Sequence, residues 1–91
     1  MNPLDFLGLT AALLTSLCFI PQVLKTLKTR DTSSISLTMY SLFVLGVALW
    51  LVWGLCEQQI PVVLANGLTL ALSSIILIMK IRAVASGREN P

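Results

Sequence analysis

Charge-free stretches organise this sequence more than any short motif. Nineteen residues separate Asp5 from Lys25, 25 separate Asp31 from Glu57, and 22 separate Glu57 from Lys80. At about 1.5 Å of rise per residue, the shortest window spans about 28 Å, close to the ~30 Å hydrocarbon core of a bilayer. Each window predicts a transmembrane helix, at about residues 6–27, 35–56 and 60–80. Strands would leave backbone groups unpaired in lipid unless they closed into a barrel, and three windows cannot do that. The expected fold class is an all-α membrane protein: one bundle of three transmembrane helices, without internal repeat or second domain.

Local punctuation points the same way. "TRDTSSIS" offers Thr32, Ser33, Ser34 and Ser36 as N-caps for the second span. "CEQQIPVV" reads as a short turn, with Pro61 suited to the first turn of the third helix, where its missing donor costs nothing. Residues 83–91 form a polar tail, and its last stretch, "SGRENP", is expected to fray.

Composition supports the membrane reading. Of 91 residues, 56% are hydrophobic and 11% charged, with a mean hydropathy of +0.90. Soluble domains carry about 25% charged residues, and one this small could not hide so much apolar surface. The first window is not read as a signal peptide: it is long for one, and "MNPLD" has no basic side chain. The net charge of +2 matters through its placement. Lys25, Lys28 and Arg30 lie in the first connection, and Lys80, Arg82 and Arg88 follow the third span. Three spans put both groups on one side, opposite Asp5 and Glu57. The excess of basic residues on cytoplasmic loops then predicts an outer amino terminus and a cytoplasmic carboxyl terminus.

Few side chains are available for chemistry. There is no histidine, and Cys18 and Cys56 fall at different depths, too far apart for a disulfide. Both are read as small packing residues. No nucleophile–base pair or metal cluster can be assembled, so an enzyme is not expected, nor a cofactor, a metal or a nucleic-acid partner. No ionisable residue interrupts a window, which argues against proton coupling and against a charged substrate. A solute handled here should be neutral.

The polar and special residues within the spans are therefore the candidates. Asn66, in "VVLANGLTL", is either a bridge between helices, worth about 1 kcal/mol, or a ligand contact whose amide both donates and accepts. Trp50 and Trp53, in "ALWLVWGLCE", share one helix face at i, i+3 spacing. Trp53 fits an interfacial belt or a gate; Trp50 lies about one turn deeper and fits either a belt or a platform for a flat ligand. Pro21, in "FIPQVLKTLKTRD", removes the hydrogen bond to the Leu17 carbonyl and kinks the helix, as a static bend or as a hinge. Gln22 stands where it could satisfy the freed carbonyl. Gly46, Gly54 and Gly67 would allow close helix approach.

"PQVLKTLKTRDTSSIS", followed by "MYSLFVLGVALWLVWG" and "LANGLTL", resembles the bacterial SemiSWEET sugar transporters of the PQ-loop group, from Leu7 to about Lys80. The resemblance implies a bacterial inner-membrane uniporter working by alternating access as a parallel homodimer of six helices in lipid. Its substrate would be a small neutral sugar of the glucose or sucrose class. It implies a midplane pocket with Trp50 and Asn66 as substrate-binding residues, Pro21 and Gln22 as the hinge, and Trp53 as an outer gate. Phe19, Met39 and Phe43 would line the inner gate. Glu57 and Gln59 depart from the Arg–Asp cluster that some members place at the outer gate. A carrier of another small neutral solute, or a non-transporting membrane subunit, are the alternatives.

Overall fold

The computed structural model describes residues 2–91. Its first helix, α1 (Pro3–Leu17), starts at a capping box. The Asn2 side chain accepts from the Asp5 N–H at 2.9 Å, and the Asp5 carboxylate accepts from the Asn2 N–H at 3.1 Å. Pro3 follows at the first helical turn, where no donor is needed. The helical path breaks at Cys18 and resumes as α2 (Phe19–Thr29). Pro21 has no N–H to offer the Leu17 carbonyl, so the regular ladder fails at this point. Cys18 keeps helical dihedrals (φ −66°, ψ −19°), so α1 and α2 continue as one membrane-crossing run, Pro3–Thr29. Arg30 ends it in the left-handed conformation (φ 57°), its N–H donating to the Thr26 carbonyl at 2.8 Å.

Of the four possible caps in the linker, Ser36 is the one used, its hydroxyl accepting from the Met39 N–H at 3.3 Å. From there α3 runs Leu37–Cys56. A three-residue turn with Gln58 at φ 53° leads into α4 (Ile60–Ala85), with Pro61 in its first turn. Among the described residues, Pro3–Thr29, Leu37–Cys56 and Ile60–Ala85 are the helical runs long and apolar enough to cross a membrane. The protein is a membrane protein.

Helix α4 is the centre of the bundle, and α1, α2 and α3 all pack on it. Against α1 the fit is polar at one level: the Ser16 hydroxyl donates to the Ala65 carbonyl and meets Thr69 Oγ1, both at 3.2 Å. Ser73, one turn further along, donates to the Thr69 carbonyl at 2.6 Å and stays wholly buried. Such hydroxyl pairs hold membrane helices together where lipid removes the hydrophobic drive for association. Against α3 the approach is tightest at Gly54, where a Cβ would stand 2.9 Å from Val62 Cγ1. Gly46 has no neighbour within 4 Å and Gly67 has only Leu51 at 3.9 Å, so close approach is needed at one of the three expected glycines.

Both cysteines are free and exposed rather than packed, Cys18 at the break between α1 and α2 and Cys56 at the last residue of α3. The largest departure from expectation is the C-terminus. Instead of fraying, residues 86–91 fold back over the end of α4. The Lys80 ammonium is fully buried and donates to the Thr32 carbonyl at 3.0 Å and to Glu89 Oε1 at 3.2 Å. Glu89 also accepts from the N–H and hydroxyl of buried Thr32. The Leu37 N–H donates to the Pro91 carbonyl at 2.9 Å. A buried ammonium requires an anion, and the tail brings one.

Candidate functional site

On α3, the i, i+3 spacing of Trp50 and Trp53 brings their rings together edge to face, with centroids 5.5 Å apart and planes at 83°. That geometry suits two quadrupoles and fixes both indoles as one rigid ledge. Gly46, Leu49, Trp50 and Trp53 line an open hollow of about 490 Å3, and Gly46 keeps its floor low. Trp50 remains 56% exposed and Trp53 46%. The hollow is therefore open along one side, with both indoles on its surface.

Asn66 sits half-buried on α4 and donates one amide proton to the Val62 carbonyl, one turn earlier, at 2.9 Å. This bond stays within its own helix, so Asn66 does not bridge helices within the chain. Its carbonyl oxygen and second N–H are left for other partners. Asn66 is not among the residues lining the tryptophan hollow. A single chain therefore does not unite the two proposed substrate-binding residues in one cavity.

Toward the other end, Phe19 at the start of α2 stacks on Phe43 of α3, with centroids 6.0 Å apart and planes at 25°. Tyr40, one turn before Phe43, adds a tilted contact at 5.8 Å. Sequence reading named Phe19 and Phe43 but passed over Tyr40, although its i, i+3 spacing from Phe43 was there to be read. Met39 is 70% exposed and takes no part in this cluster. The stack lies two residues from Pro21, so any bend there moves the Phe19 ring against α3. Gln22 does not serve the Leu17 carbonyl. Its amide donates to Thr26 Oγ1 at 3.2 Å, and that hydroxyl donates back to the Gln22 carbonyl at 2.7 Å. The carbonyl freed by proline is thus not claimed by its neighbouring amide.

The profile of the PQ loop repeat family matches residues 4–63. A protein named Sugar transporter SemiSWEET, from Leptospira biflexa, is 44% identical over 77 residues, covering 85% of this chain and 91% of its own. The chain belongs to the SemiSWEET branch of the PQ-loop family. The Bradyrhizobium diazoefficiens SemiSWEET is 42% identical over 84 residues, covering 90% of this chain and 98% of its own. Among solved structures, a SemiSWEET in the inward-open conformation superposes with a TM-score of 0.89 at 34% identity, over 96% of this chain and 94% of that one. A bacterial homologue of SWEET transporters superposes at 0.80 with 37% identity, over 89% and 98%.

What sequence reading missed in this SemiSWEET chain is the Thr32–Lys80–Glu89 cluster. Lys80 and Arg82 were read only as topology markers. The available signal was position: Lys80 is the first charge after a 22-residue apolar window and still lies inside α4. The Thr32 hydroxyl, helped by its N–H and by Lys80, holds the Glu89 carboxyl below its ordinary range. The Ser33 hydroxyl and N–H do the same for Asp31. Both carboxylates are ionised in neutral solution, and Glu89 faces Lys80, the one buried cation among the described residues.

Proposed function

We propose that two copies of this chain, parallel and related by a twofold axis along the membrane normal, form a sugar uniporter that needs no ion gradient. The observation that carries the reading is the open tryptophan ledge in a chain too thin to enclose a path. Helices pack about 8–10 Å apart, so an envelope of 50 × 24 × 14 Å is filled by three of them. A second copy supplies the missing wall, and with it a second Trp50 and a second Asn66. A hollow of about 490 Å3 falls within the ~300–1,000 Å3 range of small-molecule sites. The indole faces cover the apolar face of a sugar ring, and the spare oxygen and N–H of Asn66 take hydroxyls. The relatives named as sugar transporters support this substrate class, and the chain is a transporter rather than an enzyme.

Transport then proceeds by alternating access. Pro21 and Gln22 bend the cytoplasmic half of the first span, Phe19 and Phe43 meet or part as the inner gate, which exposed Met39 joins only on closure with the second copy, and Trp53 closes the outer side. The basic residues Lys25, Lys28, Arg30, Lys80, Arg82 and Arg88 set the carboxyl terminus in the cytoplasm. None of the residues lining the hollow is ionisable, so a neutral sugar moves down its own gradient.

Counterflow tests this directly. Purified protein in liposomes holding excess unlabelled glucose or sucrose should transiently accumulate the labelled sugar without an ion gradient. Trp50→Ala and Asn66→Ala should abolish accumulation and leave the dimer intact. Silence from folded, dimeric wild type with both sugars would refute the substrate class. Loss of the dimer in Trp50→Ala would make the ledge a packing surface instead.

A further inference from the structure

The tail cluster does more than hide a charge. The segment between α2 and α3 is fastened to the end of α4 at two points, Thr32 and Leu37. Thr32 is held through its N–H, its hydroxyl and its carbonyl, the first two by Glu89 and the last by Lys80. Leu37, the first residue of α3, is held by the Pro91 carbonyl. The tail itself is fixed on α4, because the N–H groups of Arg88 and Glu89 both donate to the Ala83 carbonyl, at 2.9 and 3.2 Å. The start of α3, the end of α4 and the tail therefore form one rigid block.

Helix α2 packs on α4 through its buried Val23 and Thr26 side, but its backbone joins that block through Arg30 and Asp31, and Arg30 already departs from helical geometry at φ 57°. At its other end α2 is set off by the Cys18 break above Pro21. Eleven residues thus lie between two points where the regular backbone is interrupted. A segment bounded in this way can rock, provided that its lower end does not wander.

We propose that Thr32, Lys80 and Glu89 are positioning residues for transport: with the tail they form a clamp that stays shut through the cycle and makes the lower end of α2 a fixed pivot. The clamp converts bending at Pro21 into a defined movement of Phe19 against Phe43, instead of a loose drift of the whole linker. It rests on the alternating-access reading for its transport consequences. Its structural content, a linker held by the tail, stands separately.

Three measurements test it. Glu89→Gln removes the anion while keeping the side-chain shape. Hydrogen exchange of the amides of residues 31–37 should then accelerate about tenfold or more, the factor expected from losing a charge-assisted hydrogen bond, with α3 and the core of α4 unchanged. Unchanged exchange would overturn the clamp, whether or not the wild type carries sugar. In counterflow, Glu89→Gln should lower the maximal rate several-fold with KM for the sugar retained, and Glu89→Asp should recover part of it. A changed KM with an unchanged rate would overturn the positioning role. Finally, Leu37→Cys/Pro91→Cys in a Cys18→Ser/Cys56→Ser background, with formation of the bond checked by mobility with and without reductant, links two residues whose backbones already hydrogen-bond. Oxidised and reduced protein should transport equally. Arrest on oxidation would mean that the clamp must open, and would sink the proposal even if Glu89→Gln fails to assemble. A wild type silent in counterflow but with the exchange result intact would remove the sugar reading and leave the clamp standing.

Discussion

One added methyl should have opposite consequences at two glycines of α3. Neither Gly46 nor Gly54 has a backbone that requires glycine. In water, alanine for glycine in a helix gains up to about 1 kcal/mol. Separated membrane helices stay helical, so in a bilayer or micelle this gain is smaller. At Gly54 the new Cβ would lie 2.9 Å from Val62 Cγ1, 3.2 Å from Val63 Cγ2 and 3.3 Å from Val62 Cβ. Valine has one favoured rotamer in a helix, so its methyls cannot swing aside. The three-residue turn before α4 leaves the two helices little slack, and overpacking of this kind costs about 1–3 kcal/mol. Gly54→Ala should therefore be less stable than wild type by about 1–2 kcal/mol after the small helix gain. Gly46→Ala meets nothing within 4 Å inside the chain and should be neutral or slightly stabilising to the protomer. Thermal melts in detergent, followed by tryptophan fluorescence, measure both. Adding Val62→Ala to Gly54→Ala should recover most of the loss beyond what Val62→Ala costs alone, a coupling that a double-mutant cycle isolates. A Gly54→Ala protein as stable as wild type, or no coupling to Val62, would refute the reasoning. Cross-linking of Gly46→Ala adds a reading of the dimer: a reduced dimer fraction places the partner against the hollow.

Other expectations concern motion, packing and pH. Pro21→Ala restores a donor for the Leu17 carbonyl and should assemble normally yet turn over several-fold more slowly in counterflow; wild-type rates would remove the hinge. Ser16→Ala breaks the polar contact between α1 and α4 at Ala65 and Thr69, and should cost about 0.5–1 kcal/mol in the same melts. Phe19→Ala removes the 6.0 Å stack on Phe43 and should make the inner side leaky, read as faster labelling of a cysteine placed beside Phe43. Glu89 has a folded value lowered from 4.5, chiefly by the Thr32 hydroxyl, so its contribution is full above that ordinary value and is lost as pH falls through the folded one. Melting should be flat from about pH 8 to 5 and drop in stronger acid, and Glu89→Gln should lack part of that drop.

Much of the architecture was legible because lipid leaves few options. A window without charge, long enough to cross and ended by charge, has to be a helix with its backbone bonds inside itself. The proline break was equally legible, since a missing N–H acts on a known carbonyl. Choices among near-equivalent groups were not. Four hydroxyls in the linker could cap α3; in the structure Thr32 is taken by Glu89 and Ser33 by Asp31, and Ser36, directly before Leu37, accepts from the Met39 N–H. Gly46, Gly54 and Gly67 look alike as letters, yet one touches a valine and one faces open space. Asn66 was open between bridge and ligand contact, and its bond to Val62 takes the bridge within one chain away.

The same physics explains why the tail could not be read. A polar C-terminal segment has no apolar face to announce a docking site, and its binding partner, Lys80, is counted among the residues that orient the chain. Both roles follow from the same ammonium. As a basic residue after the last apolar window it enters the positive-inside expectation; tucked under the linker it demands a carboxylate, and Glu89 lies nine residues on. Arg82 and Arg88, at the same end of the chain, are exposed. A lysine that only set orientation would be solvated as they are. The full burial of Lys80 is therefore the feature that separates a topology signal from a structural fastening.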